Sequence, residues 1–139
     1  MFLHFDKASI LLVLVYIDDI IVTDSSSSMV YSLIAKLNSV FALRDLGPLS
    51  YFLGVEVSYD EGFMHLNQAK YITDLLHKIE MFDRKPSKTP DAVGKTLSKF
   101  DGDLMEDVTM YRSVVVALQY ATMTRPDIAF AVNKACQFM

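Results

Sequence analysis

ILLVLVYIDDIIVT, Ile10 to Thr23, decides how this chain is read. Two short, branched, apolar runs flank a pair of carboxylates. Each run, Ile10 to Val15 and Ile20 to Val22, has the make-up of a strand buried on at least one face. Two adjacent acids between such strands are costly unless they reach water, a cation or a metal. A strand-turn-strand hairpin meets that demand by lifting Asp18 and Asp19 to its tip. Acids on a rigid tip can bind the paired divalent ions of phosphoryl transfer. A bare Asp-Asp pair reads first as a solvated turn. Here the flanks weigh against that: ordinary hairpin turns favour Asn-Gly or Asp-Gly, no Gly is present, and Tyr16 answers no turn requirement.

Downstream, the serines Ser25 to Ser28 read as a helix start, with Ser27 or Ser28 as the capping hydroxyl. Met29, Val30, Leu33, Ile34, Leu37, Val40 and Phe41 recur at helical spacing and form a stripe that covers one face of the hairpin's sheet. Asp45-Leu46-Gly47-Pro48 is a turn. Tyr51 to Val57 reads as a strand, Asp60-Glu61-Gly62 as a hairpin turn and Phe63 to Leu66 as the returning strand. Gly54 inside its strand allows close backbone approach by a ligand or another chain, or marks a bulge.

A second helical pattern starts at Asn67, with Tyr71, Ile72, Leu75, Leu76 and Ile79 on its apolar face. Pro86 and Pro90 break it. The segment Asp83 to Lys99 holds Arg84, Lys85, Lys88, Lys95 and Lys99, and reads either as a phosphate-contacting strip or as a solvated basic loop beside the acidic stretch Asp101 to Asp107. A third helix is expected from about Asp107 to Met123, with Tyr111, Val114, Val115, Leu118 and Met123 near one side and Ala117 and Ala121 at a close helix contact. Thr124-Arg125-Pro126-Asp127 has the form of a helix start: Thr124 as cap, Pro126 in the first turn, Asp127 at the positive end of the dipole. That last helix is expected to run through Ile128, Ala131, Val132 and Ala135 to the final residue. Both ends of the chain are read as cut from a longer one.

LVYIDDIIVT resembles the Tyr-x-Asp-Asp hairpin of reverse transcriptases, in the form found in copia-type retrotransposon polyproteins. FALRDLGPLSYFLGVEV at Phe41 to Val57, HLNQAKYITDLL at His65 to Leu76 and the block from Tyr111 to Met139 resemble later family blocks in the right order. The resemblance implies an α+β fold: a partial polymerase palm over residues 1–66, holding the Tyr-x-Asp-Asp hairpin and a second, primer-grip-like hairpin, then a thumb- or connection-like helical region over 67–139. It implies RNA-directed DNA polymerase chemistry on an RNA template, a DNA primer and a dNTP, with Mg2+, or Mn2+ in its place. Asp18 matches the first acid and the stronger metal ligand, and Asp19 the second. Tyr16 matches the aromatic near the primer or template end, and Ile17 the variable position. Phe52, Leu53 and Gly54 match the start of the hairpin that holds the primer end.

The same resemblance places the family's other essential carboxylate and its fingers upstream. Asp6 reads as a turn residue and no substitute for that acid. The expectation is a chain inactive alone, working with other polyprotein segments; in the family the product resides in a cytoplasmic virus-like particle. Two positions depart from the pattern. Asp24 stands where the family usually has Gly, and Val116 does too, within the third helix, where added volume is expected to overpack a contact.

With 139 residues, 52% of them hydrophobic, the chain has material for a core, and one domain or a piece of a larger one is expected. A net charge of −4 argues against a generic nucleic-acid-coating protein, while suiting an acidic metal-binding edge. Cys136 is the single cysteine, which excludes an internal disulfide and reads as a buried structural thiol. No apolar run reaches the roughly 20 residues of a bilayer span, so no membrane partner is expected, and the first residues do not form a signal peptide. Two other readings compete. One is a non-enzymatic transposon-derived relic or interaction module. The other, an unrelated metal-dependent nuclease or phosphatase, ranks last because His4, His65 and His77 lack metal-ligand spacing.

Overall fold

A computed structural model of the chain describes residues 2–6, 9–90, 98 and 105–139. The fold is mixed α and β, with two small antiparallel sheets and four α-helices among the described residues. It divides into two compact units, residues 1–49 and 50–139.

In the first unit, β1 (Phe2–Asp6), β2 (Ser9–Tyr16) and β3 (Asp19–Thr23) form a sheet in sequence order. The expected hairpin is present, with register Leu12↔Thr23 through Tyr16↔Asp19. Strand β1, which lacks the long apolar run of its neighbour, pairs with β2 from Phe2↔Val13 to Asp6↔Ser9. Asp6 is therefore the last residue of a strand and not a turn residue.

Helix α1 (Ser27–Val40) follows. Its half-buried face is Val30, Leu33, Ile34 and Leu37, while Met29, Val40 and Phe41 are exposed, so the stripe is narrower than its seven residues. Neither Ser27 nor Ser28 caps it: the cap position is Ser26, with no side-chain cap bond, and the Asp24 carboxylate accepts from the Ser26 amide at 2.6 Å. Asp24, half-buried, thus closes an Asx-type turn that Gly would leave without a side-chain acceptor. Between residues 10 and 49 none is fully buried.

The second unit opens with β4 (Tyr51–Phe52), β5 (Val55–Asp60) and β6 (Phe63–Asn67). The single strand expected over Tyr51 to Val57 is two strands joined by a tight turn at Leu53-Gly54, and the expected two-stranded ribbon is a three-stranded meander. The second turn, Glu61-Gly62, lies where the sequence places it, with φ of 43° and 86°.

Helix α2 (Ala69–Lys78) starts without help from its own cap residue. Asn67 accepts from the Ala69 amide at 3.0 Å, and the Glu56 carboxylate of β5 accepts from the Lys70 amide at 3.0 Å. Acid at a helix N-terminus also suits the dipole. His77 is exposed on α2, as read, and its ring stacks on Phe82 at 4.0 Å.

Helix α3 (Val108–Ala121) is capped by Asp107, whose carboxylate accepts from the Met110 amide at 2.8 Å. A short 3-10 turn (Pro126–Ile128) leads into α4 (Ala129–Cys136), which ends before the final residue. Thr124 does not cap it; its hydroxyl donates to Gln68 instead. The core is Val57, Leu75, Val115, Ala121 and Val132, one or two residues from each of β5, α2, α3 and α4. Ala121 is 1% exposed, as a close helix contact requires, whereas Met123 is exposed and off the apolar side. Val116 is 55% exposed and outside the buried core, so the overpacking expected there is not seen. Cys136 is half-buried. Of the basic segment, Arg84, Lys85 and Lys88 are exposed outside regular structure, and Asp91, Lys95 and Lys99 lie outside the described residues.

Candidate functional site

The tip of the β2–β3 hairpin is a two-residue loop, Ile17-Asp18, closed by the Tyr16↔Asp19 pair. Asp18 stands in the loop and Asp19 opens β3. Directly opposed residues share a sheet face, so Asp19 lies beside Tyr16, with Leu14 and Ile21 behind them. Both carboxylates are exposed, as is Ile17 at 84%.

Ile17 has φ of 54°, and Asp18 is not in the positive-φ region. Positive φ at the first central residue only is the sense of a type II′ hairpin turn, where Gly is the usual occupant. A β-branched residue in this region is an outlier. Left-handed backbone costs an L-residue on the order of 1–2 kcal/mol. With its side chain in solvent, Ile17 recovers none of this through burial. Strain held at an exposed tip beside two acids is a pattern found where local conformation serves a site.

Among the described residues no three His, Cys, Asp or Glu side chains converge to hold a metal ion. Asp18 and Asp19 nevertheless fit magnesium by donor chemistry. That ion takes hard oxygen ligands, keeps several waters, and commonly uses one or two carboxylates beside substrate phosphates.

The second predicted site, Phe52-Leu53-Gly54, is built within the other unit. Phe52 pairs with Val55, and Leu53 and Gly54 form the loop between them, with φ of 49° and 82°. Two successive positive φ values are the type I′ hairpin geometry. Phe52 is half-buried and the Leu53 side chain is 44% exposed. The close approach anticipated at Gly54 is made by the protein itself. A Cβ there would lie 3.4 Å from Cδ2 of Tyr71 and 3.8 Å from Cε1 of Tyr120. The Tyr120 hydroxyl donates to the Leu53 carbonyl.

Tyr71 and Tyr120 were not legible as part of this site. Tyr71 reads as one more apolar-face residue of α2, and no spacing links position 120 to position 53. Their rings meet edge to face, centroids 5.1 Å apart at 77°. The Tyr71 hydroxyl donates to the Ala117 carbonyl at 3.1 Å. Burial, then the neighbouring Tyr120, push the Tyr71 phenol above its ordinary value of 10.0.

Residues 1–93 match the family described as reverse transcriptase (RNA-dependent DNA polymerase). The chain is 41% identical over 131 residues to the Pol polyprotein of transposon RE1 from Arabidopsis thaliana, covering 94% of the chain and 9% of the polyprotein. It belongs to the copia-type retrotransposon reverse transcriptases. It is also 43% identical over 126 residues to an uncharacterized mitochondrial protein of Arabidopsis thaliana, covering 91% of the chain and 52% of that protein. To the Pol polyprotein of transposon TNT 1-94 from Nicotiana tabacum it is 32% identical over 147 residues, covering 99% of the chain and 11% of the polyprotein. The copia-type chain thus spans about a tenth of the transposon polyproteins and about half of the mitochondrial relative. No solved structure matches it.

Proposed function

We propose that the Ile17-Asp18 tip contributes Asp18 and Asp19 to the divalent-ion site of an RNA-directed DNA polymerase, and that the Phe52-Leu53-Gly54 turn holds the primer. The observation that carries this is the tip: two adjacent exposed acids, Asp18 in a strained two-residue loop and Asp19 at the start of the strand that follows. A merely solvated turn has no need of a left-handed isoleucine.

The reaction joins a primer 3′-hydroxyl to the first phosphorus of a dNTP opposite an RNA template, with pyrophosphate as the leaving group. Magnesium, or manganese in its place, stabilises the attacking and leaving oxygens when bound. Asp18 is the principal ligand and Asp19 the second acid. Tyr16, on the face it shares with Asp19, packs near the primer or template end. Ile17 fills the variable position of the loop, held at positive φ by the strand pairing on either side. The membership in a polyprotein family and the pair of carboxylates together favour a shared site, with a further acid and the nucleotide-binding surface coming from another polyprotein segment.

Primer extension on an RNA template with a DNA primer tests this. The chain alone is expected to extend nothing in magnesium or manganese. Supplied with a separately expressed upstream segment of the RE1 polyprotein, the unsubstituted chain is expected to restore extension, and Asp18→Asn is not. Equal extension by Asp18→Asn overturns the assignment.

A further inference from the structure

We infer that Tyr71 and Tyr120 are positioning residues for the Leu53-Gly54 turn: a two-tyrosine clamp through which helices α2 and α3 set the conformation of the primer-holding loop. This rests on the reading of that loop as a primer contact.

A two-residue loop with both φ values positive has little to hold it beyond its own pairing. Here the preceding strand has only two residues, Tyr51 and Phe52, with one further backbone bond from the Val57 amide to the Ser50 carbonyl at 2.8 Å. Leu53, at φ 49°, occupies a region that L-residues avoid, and unlike the Glu61-Gly62 turn, where nothing lies within 4 Å of a Cβ on Gly62, this loop is contacted from outside its sheet. Two contacts are made. The Leu53 carbonyl accepts from the Tyr120 hydroxyl, which fixes the orientation of the peptide between Leu53 and Gly54. The rings of Tyr71 and Tyr120 close on Gly54 at distances that a Cβ would just touch.

The clamp is itself braced. The edge-to-face contact locks each ring against the other, and the Tyr71 hydroxyl is tied to Ala117, one turn before Tyr120 on the same helix. The two tyrosines come from different helices, so a shift of α2 against α3 separates the rings and releases the loop. The helices therefore act on the primer end through the loop carbonyl.

Tyr111 provides a matched control. Its hydroxyl also donates across helices to a backbone carbonyl, that of Ala135, at 2.8 Å, and it makes no part of the clamp. The probe is a fluorescein-labelled RNA template–DNA primer duplex titrated with the full chain. Tyr120→Phe keeps the ring and loses only the hydroxyl. It is expected to bind the duplex about two- to tenfold more weakly, while Tyr111→Phe, of comparable stability, binds as the unsubstituted chain does. Equal affinity for Tyr120→Phe and the unsubstituted chain, or an equal loss in Tyr111→Phe, overturns the clamp.

If the unsubstituted chain binds no duplex, the primer-holding reading falls, and amide hydrogen exchange decides the clamp separately. Faster exchange at residues 53–56 in Tyr120→Phe than in Tyr111→Phe supports it. Equal exchange there overturns it.

Discussion

The hydroxyl of Thr124, between α3 and α4, donates to the side-chain carbonyl of Gln68 at the head of α2, at 2.8 Å across 56 positions of sequence. Gln68 is 1% exposed, and its Nε2 has no partner among the described residues. One half of a buried amide is thus satisfied and the other is not. Removing the donor leaves the whole amide orphaned, whereas removing the amide relieves a standing cost. Thr124→Val is expected to destabilise the chain by about 1–3 kcal/mol. Gln68→Met, similar in volume, is expected to be neutral or stabilising. Urea denaturation of both variants checks the asymmetry; equal losses contradict it.

Tyr71 carries a pH signature. Its phenol is raised above 10.0 by burial and by Tyr120, so the folded state favours the neutral form. The associated stability is fully present below the unfolded value near 10.0 and is lost as pH rises through the higher folded value. Tyr71→Phe keeps the ring against Gly54. It is expected to cost about 0.5–1.5 kcal/mol at neutral pH, from the lost bond to Ala117. Its melting temperature is then expected to fall less steeply than that of the unsubstituted chain above pH 10. Parallel alkaline profiles contradict the raised phenol.

Much of the fold was legible because its signals are local. Continuous apolar runs placed β2 and β3, and helical spacing placed α1, α2 and α3, the last from about Asp107, which the structure shows to be its cap. What escaped depends on distance. Leu53-Gly54 looked like strand interior because apolar residues flank it on both sides; the partner of the Leu53 carbonyl, the Tyr120 hydroxyl, lies 67 positions away. Thr124 looked like a cap because its neighbours fit a helix start, and it was drawn off by the buried Gln68. Val116 looked crowded because a helix contact was expected there, and it is instead 55% exposed. Asp18 stands on the tip as read, whereas Asp19, read as a second tip residue, opens β3 paired with Tyr16, and no pattern of residue types announces that Ile17 is left-handed.

The strain at Ile17 has a direct consequence for stability. Ile17→Gly removes an exposed side chain that packs on little and admits the observed φ without cost. Set against the added chain entropy of glycine, the net gain is expected to be about 0.5–1 kcal/mol. Denaturant titration measures it. A loss of stability indicates that the turn is not strained in solution.

Manganese titration of isotope-labelled chain, followed through paramagnetic broadening of its amide resonances, reaches the divalent-ion site most directly. If Asp18 and Asp19 hold the ion, signals of residues 16–20 broaden first and saturably in the unsubstituted chain, and Asp18→Asn abolishes that local effect while leaving the spectrum folded. Broadening that is absent, spread evenly over exposed acids, or unchanged in Asp18→Asn contradicts a metal site at the hairpin tip.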